Sequence, residues 1–279
     1  MAKTLKNKKI GFIGSGIMAE AIVSGIIGKN LVPPQSICCA DPYAVRCEQL
    51  SEKYGINTTT NNKEAIRDAD VVFLSIKPQM LSEVSRPLLG TFNSNQLIIS
   101  ILAGVTTDTL KKALGHHSIV RTMPNTPARV GEGMTVWIAT EDVSKTQQKM
   151  AQTLLASLGE EVFVTREADL DRATALSGTG PAYVFLFMEA LIDAGVHMGF
   201  SRRVAEKLVL QTVKGSVDFA IKSETHLAEL RNQVTSPGGT TADAIYHMEK
   251  GGLRTVLSKA VFAAFQKSRF LSLVDEDEE

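Results

Sequence analysis

In the first part of the chain, short runs of consecutive apolar residues alternate with segments of helical period. The run 70–76, DVVFLSI, is apolar at successive positions, which is typical of a strand covered on both faces in a parallel sheet. Strands are predicted at 9–14, 36–40, 70–76, 97–102, 118–123 and 133–139, and helices at 17–28, 44–54, 62–68, 107–114 and 144–158. This alternation predicts an α/β domain over residues 1–165, with a Rossmann-type doubly wound parallel sheet.

After residue 165 the strand pattern stops and only helical periods remain. Helices are predicted at 170–176, 181–198, 201–221, 227–234, 240–250 and 253–273. In the second of them, Glu189, Asp193 and His197 form one polar stripe, and the other faces are apolar. Those polar residues argue against a membrane span. We therefore predict an all-α C-terminal domain over residues 166–279, whose apolar faces form its own core or a dimer interface.

Composition narrows the class of protein further. The chain has 279 residues with 44% hydrophobic and 22% charged side chains, as in soluble globular proteins. Thirty basic residues balance thirty acidic ones, which argues against nucleic acid or an anionic membrane as a partner. Three cysteines, Cys38, Cys39 and Cys47, form no disulfide framework, so a reducing cytoplasm is expected. No metal-ligand spacing occurs in the sequence, and we expect no metal.

The strand 9–14 ends in glycine, and residues 14–19, GSGIMA, match the G-x-G-x-x-G/A fingerprint of dinucleotide-binding proteins. Gly14 permits the tight turn, and Gly16 lets the backbone approach a pyrophosphate. Ser15, Ile17 and Met18 complete a helix start whose N–H groups attract anions. The position of this motif between a predicted strand and a predicted helix predicts a dinucleotide cofactor.

Asp41 ends the second predicted strand, near the position of the acid that binds the ribose hydroxyls. A carboxylate there accepts hydrogen bonds from a free 2′-hydroxyl and repels a 2′-phosphate. Arg46 is close enough in sequence to accommodate the phosphate, and Asp41 also fits a helix cap. We expect NADH or NADPH as the cofactor, with a preference for NADH.

Three further segments follow predicted strands at the edge of the sheet where ligands bind. In 75–78, SIKP, Lys77 has the length to reach a phosphate or a substrate carboxylate, or to remain in solvent. The segments 102–105, LAGV, and 123–127, MPNTP, are candidates for lining the nicotinamide pocket. The prolines around Asn125 fit a purely structural loop equally well.

Two segments of the helical part are too specific for ordinary connectors: 177–183, SGTGPAY, and 234–241, VTSPGGTT. Together with GFIGSGIMAEA, SIKP, ILAGV and RTMPNTP, they resemble the pyrroline-5-carboxylate reductases. Those enzymes make L-proline by reducing 1-pyrroline-5-carboxylate with NAD(P)H. The resemblance extends in order through nearly the whole chain, and SPGGTT is its most specific part.

The resemblance implies a role for each matching residue. It implies that 236–241 holds the substrate carboxylate through backbone N–H groups, and that the catalytic Thr241 hydrogen-bonds the ring nitrogen. It places Glu167 near the substrate, with Glu224 as a weaker candidate. The implied substrate-binding set is Glu167, Ser236, Gly238, Gly239, Thr240 and Thr241. The implied cofactor contacts are Gly14, Ser15, Gly16, Ile17, Met18, Asn62, Ser75, Ile76, Lys77, Pro78, Ala103 and Gly104. The positions of Asp41 and Asn125 after predicted strands add these two residues to the expected cofactor site.

The same resemblance implies a homodimer through the C-terminal helices, assembled into a larger ring. Two positions depart from the pattern: Gln233 stands where some members have Asn, and Asp41 leaves the use of NADPH open. Alternatives remain for single features, because Thr240 or Thr241 is also a plausible helix cap. Other functions that fit the architecture are a β-hydroxyacid dehydrogenase, an imine reductase, or a nucleotide-sensing regulator without turnover.

Overall fold

The computed structural model of the chain describes residues 5–277, with side chains described as far as Ser272. The chain divides into two compact units. The first ends at Thr179 and takes in the chain again from Ala264 onward, and the second is Gly180–Ala263.

The first unit contains an eight-stranded sheet. Its strands are β1 (Ile10–Ile13), β2 (Ile37–Ala40), β3 (Asn57–Thr59), β4 (Val71–Leu74), β5 (Leu97–Ser100), β6 (Ile119–Met123), β7 (Gly133–Ala139) and β8 (Gly159–Phe163). They lie in the order β3-β2-β1-β4-β5-β6-β7-β8, and pairing is parallel from β3 through to β6. The order of the first six strands is that of the doubly wound dinucleotide-binding folds, as the sequence predicts.

Two features of the sheet differ from the prediction. Strand β7 runs antiparallel to β6, since the connection between them is shorter than the dozen or so residues that a parallel crossover needs. Strands β3 and β8 were not predicted at all. Both lie at the edges of the sheet, and their sequences, NTT and GEEVF, lack the continuous apolar run of a covered strand.

Helices cover both faces of this sheet. They are α1 (Ile17–Gly28), α2 (Ala44–Tyr54), α3 (Asn62–Ile66), α4 (Leu81–Ser85), α5 (Thr107–Leu114), α6 (Lys145–Leu155) and α7 (Ala168–Ala173). On one face, Phe12 and Phe73 stack with ring centroids 4.8 Å apart and pack with the apolar side of α1. On the other, Val72 and Ile98 pack with Leu110 of α5. Alternate residues of the central strands therefore enter opposite cores, which fixes the register of the sheet.

The second unit is helical, with α8 (Gly180–His197), α9 (Arg202–Lys222), α10 (Leu227–Gln233) and α11 (Thr240–Lys250). A last helix, α12 (Leu253–Asp277), begins in this unit. Within Gly180–Ala263, all of which the structure describes, only Gly195 and Ala205 are buried. They meet where α8 packs against α9, and a Cβ at Gly195 would lie 2.9 Å from that of Ala205. This unit therefore has almost no core of its own.

Large apolar side chains of α8 face outward instead; Phe185 is 59% exposed and Leu186 is 67% exposed. The continuous helix 168–197 is long and apolar enough by composition to cross a membrane. Its polar stripe nevertheless carries Asp193, which pairs with Arg202 of α9 at 2.7 Å. An apolar surface of this extent marks a site of association.

Gly159 is the position where the sheet depends most on the absence of a side chain. Its φ is +137°, and a Cβ there would lie 2.2 Å from the carbonyl oxygen of Gly133 on the paired strand β7. Gly159→Ala should therefore lower the free energy of unfolding by about 3 kcal/mol, since a non-glycine residue in such a conformation is strained and the clash adds to it.

A suitable control is Gly90→Ala. Gly90 also has a positive φ, of +72°, but a Cβ there meets no atom within 4 Å. It should cost only about 1 kcal/mol, the strain of the left-handed conformation alone. Urea titration of both variants measures the difference, and equal losses would contradict the clash argument.

Candidate active site

The fingerprint loop joins β1 to α1 at the carboxyl edge of the sheet. Gly14 has a φ of +87°, and a Cβ on it would lie 2.7 Å from the carbonyl oxygen of Ser75. Gly16 is the N-cap of α1 and offers no side-chain cap to the first turn. A Cβ at Gly16 would point into open space, and Ile17 beside it is exposed, whereas Met18 is half-buried. The loop thus presents uncapped backbone N–H groups next to open space at Gly16, which fits a pyrophosphate.

The segment after β4 is tied to this loop. The hydroxyl of Ser75 donates to the carbonyl oxygen of Gly14 at 2.7 Å, and the Ser75 amide donates to Ile13 at 2.9 Å. Lys77 is exposed and precedes a short turn at Pro78–Met80, while Ile76 packs towards Gly14. Asn62 is the first residue of α3, whose N-cap is Asn61. The structure therefore brings 75–78 next to the fingerprint, as the sequence predicts for strand ends in such a sheet.

Asp41 follows β2 and lies against the same loop. Its Oδ2 accepts hydrogen bonds from the amide of Ser15 at 3.1 Å and from the Ser15 hydroxyl at 2.7 Å. Its Oδ1 accepts from the amide of Tyr43, which is the N-cap of α2. Asp41 is thus not the cap residue itself. It fixes the second residue of the fingerprint and stands where the ribose-binding acid is expected.

A cluster of opposite charges lies beside Asp41. Glu20 of α1 accepts hydrogen bonds from Arg46 at 2.5 Å, from Lys53 at 2.8 Å and from the hydroxyl of Tyr54 at 3.0 Å. Hydrogen bonding from Lys53 is the main cause that lowers the pKa of the Glu20 carboxyl from 4.5 to about 2, against the opposing effect of burial. Arg46 also donates from Nε to the carbonyl oxygen of Ser15 at 2.8 Å.

The loop after β5 holds Ala103 and Gly104. Gly104 has a φ of +79°, and a Cβ there would lie 3.2 Å from that of Leu271 of α12. Thr106 then caps α5 by accepting from the amide of Thr109. Asn125, after β6, donates to the carbonyl oxygen of Ser177 at 3.1 Å and accepts from the amide of Met134 at 2.9 Å. The side chain of Asn125 is thus engaged in holding its own loop.

Glu167 lies in a network of polar groups. Its carboxylate accepts from the amide and the hydroxyl of Thr107, each at 2.7 Å, and from Arg121 at 2.8 Å. Arg121 is only 3% exposed, and its second partner is Asp171 at 3.6 Å. Through these contacts Glu167 stabilises the start of α5 and forms an ion pair with the buried Arg121. Its role as a substrate contact stays a prediction.

The segment 236–241 lies in the second unit and begins α11. Gly239 is the N-cap and provides no side-chain cap, so neither Thr240 nor Thr241 is the cap residue. A Cβ on Gly239 would lie 2.4 Å from the hydroxyl oxygen of Ser236, and Gly238 has a φ of +69°. Thr240 is exposed and Thr241 half-buried. The segment is therefore a second helix start with a glycine N-cap, able to bind a carboxylate through its backbone.

Two charged groups of the first unit, Glu20 and Arg121, were not predicted from the sequence. Glu20 is separated from Arg46 and Lys53 by a whole strand, and Arg121 from Asp171 by two. The available signal for Arg121 was a charged residue within the buried strand 119–123, since a buried charge requires a partner. Among the described residues, no group of three or more His, Cys, Asp or Glu side chains is arranged to hold a metal.

The fold and the loop at 14–18 define a class: a NAD(P)-dependent oxidoreductase with a helical second region. A family model described as pyrroline-5-carboxylate reductase dimerisation matches residues 167–271. One described as NADP oxidoreductase, coenzyme F420-dependent, matches residues 9–104. A pyrroline-5-carboxylate reductase of Synechocystis is 40% identical over 94% of this chain and 98% of its own. The chain belongs to the pyrroline-5-carboxylate reductase family.

Solved structures agree with this assignment. A pyrroline-5-carboxylate reductase of Coxiella burnetii is 39% identical, with 96% of this chain and 99% of the other covered and a TM-score of 0.86. A Plasmodium falciparum pyrroline carboxylate reductase with NADP bound is 36% identical, with the same coverage and a TM-score of 0.85. The activity is reduction of 1-pyrroline-5-carboxylate with NAD(P)H in proline biosynthesis, and the dimerisation region implies a homodimer.

Glu167→Gln tests the network around Arg121. The substitution leaves a buried guanidinium short of a carboxylate, so the free energy of unfolding should fall by about 3 kcal/mol. Urea titration at fixed protein concentration measures this. Glu160→Gln, at an exposed glutamate of β8, serves as the control and should change stability little. Unchanged stability with a raised KM for the substrate would instead support the substrate role of Glu167.

Proposed function

We propose that this chain divides the reduction of 1-pyrroline-5-carboxylate between two sets of residues. The cofactor set is Gly14, Ser15, Gly16, Ile17, Met18, Asp41, Asn62, Ser75, Ile76, Lys77, Pro78, Ala103, Gly104 and Asn125. The substrate set is Ser236, Gly238, Gly239, Thr240 and Thr241, with Glu167 retained as a prediction. The observation that carries the proposal is that both sets contain a helix of more than one turn that starts at a glycine without a side-chain cap. Such helix starts suit a pyrophosphate and a small carboxylate.

In this reaction the side chains need only orient the substrate and assist protonation of its ring nitrogen. NAD(P)H, when bound, supplies the hydride that C5 of the pyrroline ring accepts. The ring nitrogen becomes an amine and must receive a proton before or during that step, because an iminium is the better electrophile. The hydroxyl of Thr241 in the first turn of α11 donates a hydrogen bond to this nitrogen or relays a proton to it. Backbone N–H groups at 238–241 hold the carboxylate and so orient C5.

Thr241→Ala should lower kcat by about tenfold to a hundredfold, the usual effect of losing one positioned proton-transfer or hydrogen-bonding group. Because Gly239 and not Thr241 caps the helix, fold and NADH binding should persist. Steady-state kinetics and NADH titration by fluorescence measure the two effects. Thr241→Ser keeps the hydroxyl and should recover most of the activity. Equal loss in both variants would show that the methyl group, not the hydroxyl, matters.

We also propose that Asp41 makes NADH the preferred cofactor. Its carboxylate lies against Ser15 of the fingerprint, where it accepts bonds from a ribose hydroxyl and repels a phosphate. The chain retains use of NADPH, and a Plasmodium falciparum relative was solved with NADP bound.

Asp41→Ser should raise kcat/KM for NADPH relative to NADH by about tenfold, since it removes a like charge from the site of the 2′-phosphate. Kinetics with both cofactors at saturating substrate, and thermal denaturation to verify folding, measure the outcome. An unchanged ratio would assign Asp41 to loop structure alone.

Several broader expectations complete the proposal. The boundary between the nucleotide domain and the helical domain lies at 165/166, and the homodimers associate into a larger assembly. The protein acts in the cytoplasm, which three free cysteines favour. It binds neither nucleic acid nor a membrane. Light scattering of the purified protein determines the size of the assembly.

Two other functions are less well supported. A β-hydroxyacid dehydrogenase of this architecture uses a helix-borne lysine, and α8 contains none. A nucleotide sensor would bind the cofactor without turnover. Loss of NADH absorbance on addition of 1-pyrroline-5-carboxylate decides between sensor and enzyme, and folded protein that shows no loss with either cofactor would contradict the proposed function.

A further inference from the structure

Two groups of opposite charge meet on Ser15, the second residue of the fingerprint. The carboxylate of Asp41 accepts from its amide and hydroxyl, and the guanidinium of Arg46 donates to its carbonyl oxygen. Carboxylate and arginine at the end of the second strand are the pair that distinguishes a ribose 2′-hydroxyl from a 2′-phosphate. Both groups therefore lie within one residue of the loop that receives the nucleotide.

Arg46 is not available there as a free cation, because Glu20 holds it. The Arg46 Nη2 to Glu20 Oε2 distance is 2.5 Å, and the remaining oxygen of Glu20 accepts from Lys53 at 2.8 Å and from Tyr54 at 3.0 Å. One carboxylate of α1 thereby engages two cations of α2. The side chains of Arg46 and Glu20 are 25% and 23% exposed, so the pair is only partly open to water.

Building on the proposed cofactor site, we propose that Glu20 is a specificity-determining residue, which disfavours NADPH by holding Arg46 and Lys53 in a carboxylate clamp beside Asp41. The clamp is the set Glu20, Arg46, Lys53 and Tyr54. It neutralises the cations that would pair with a 2′-phosphate, and it adds a second negative charge close to that phosphate.

The physical chemistry of the clamp supports this role. Arginine binds carboxylates and phosphates with the same planar set of donors, so a phosphate can recruit Arg46 only in competition with Glu20. Glu20 is fully ionised at neutral pH, since its pKa is lowered to about 2, chiefly by the hydrogen bond from Lys53. A 2′-hydroxyl carries no charge, so NADH does not need Arg46 as a partner. The clamp therefore penalises NADPH and leaves NADH unaffected.

The test is Glu20→Ala in the full-length enzyme, measured as kcat/KM for NADPH divided by kcat/KM for NADH. Release of Arg46 should raise this ratio by about tenfold, the effect of one charge-assisted hydrogen bond. The same shift should appear in direct titrations of NADP⁺ and NAD⁺ without substrate. Alanine is the best helix former, so α1 should persist.

Two variants make the result specific. Glu48→Ala removes an exposed carboxylate of α2 that is not part of the clamp, and should leave the ratio unchanged. The double substitution Glu20→Ala with Arg46→Met should lose the gain, because the released cation is then missing. An unchanged ratio in Glu20→Ala, an equal rise in Glu48→Ala, or a rise that survives Arg46→Met would each overturn the proposal.

The design separates this inference from the proposed function. Should the unaltered enzyme bind neither dinucleotide and fail to reduce the substrate, the proposed function itself is wrong. Should it bind both and turn over, while Glu20→Ala leaves their relative affinity as before, only the role of the clamp is wrong.

Discussion

The proposed function depends on two helices, α1 and α11, that each start at a glycine without a side-chain cap. Side chains cap three other helices, where Thr106 caps α5, Ser144 caps α6 and Ser201 caps α9, whereas α2 begins at Tyr43 without a side-chain cap. In α1 and α11 the N-cap is glycine, which provides no side-chain acceptor for the first N–H groups. A glycine in place of a side-chain cap costs each helix only about 0.3 kcal/mol. This small loss of stability falls on the two helix starts that we propose bind the pyrophosphate and the substrate carboxylate.

The two helix starts and most of the sheet could be predicted from the sequence, because both depend on short contiguous segments. Residues 14–18 and 236–241 are contiguous motifs. Such motifs can be recognised from the sequence because the structure that they form involves residues adjacent in the chain. The six predicted strands are likewise local patterns in the sequence, and all six are present. The antiparallel direction of β7 could not be predicted from its hydrophobic pattern, because the direction depends on the length of the connection from β6.

The features that could not be predicted from the sequence are contacts between residues far apart in the chain. Glu20 with Arg46, and Glu167 with Thr107 and Arg121, are pairs that topology alone brings together. No spacing rule identifies such partners, because any of several acids could have been the one to meet the buried Arg121. The polar edge strands β3 and β8 were not predicted for a related reason. Pairing with β2 and β7 makes these segments strands, whereas their own residues show no strand pattern.

The buried Asp171 has a consequence for the order in which the chain can fold. Its Oδ1 accepts hydrogen bonds from Ser268 and Ser272, which follow it by 97 and 101 residues. During synthesis from the N-terminus, the sheet can assemble long before these two serines leave the ribosome. Asp171 must wait through the synthesis of the whole helical unit before its hydrogen bonds are completed. The nucleotide-binding unit is thus begun first and finished last, which ties its maturation to completion of the chain.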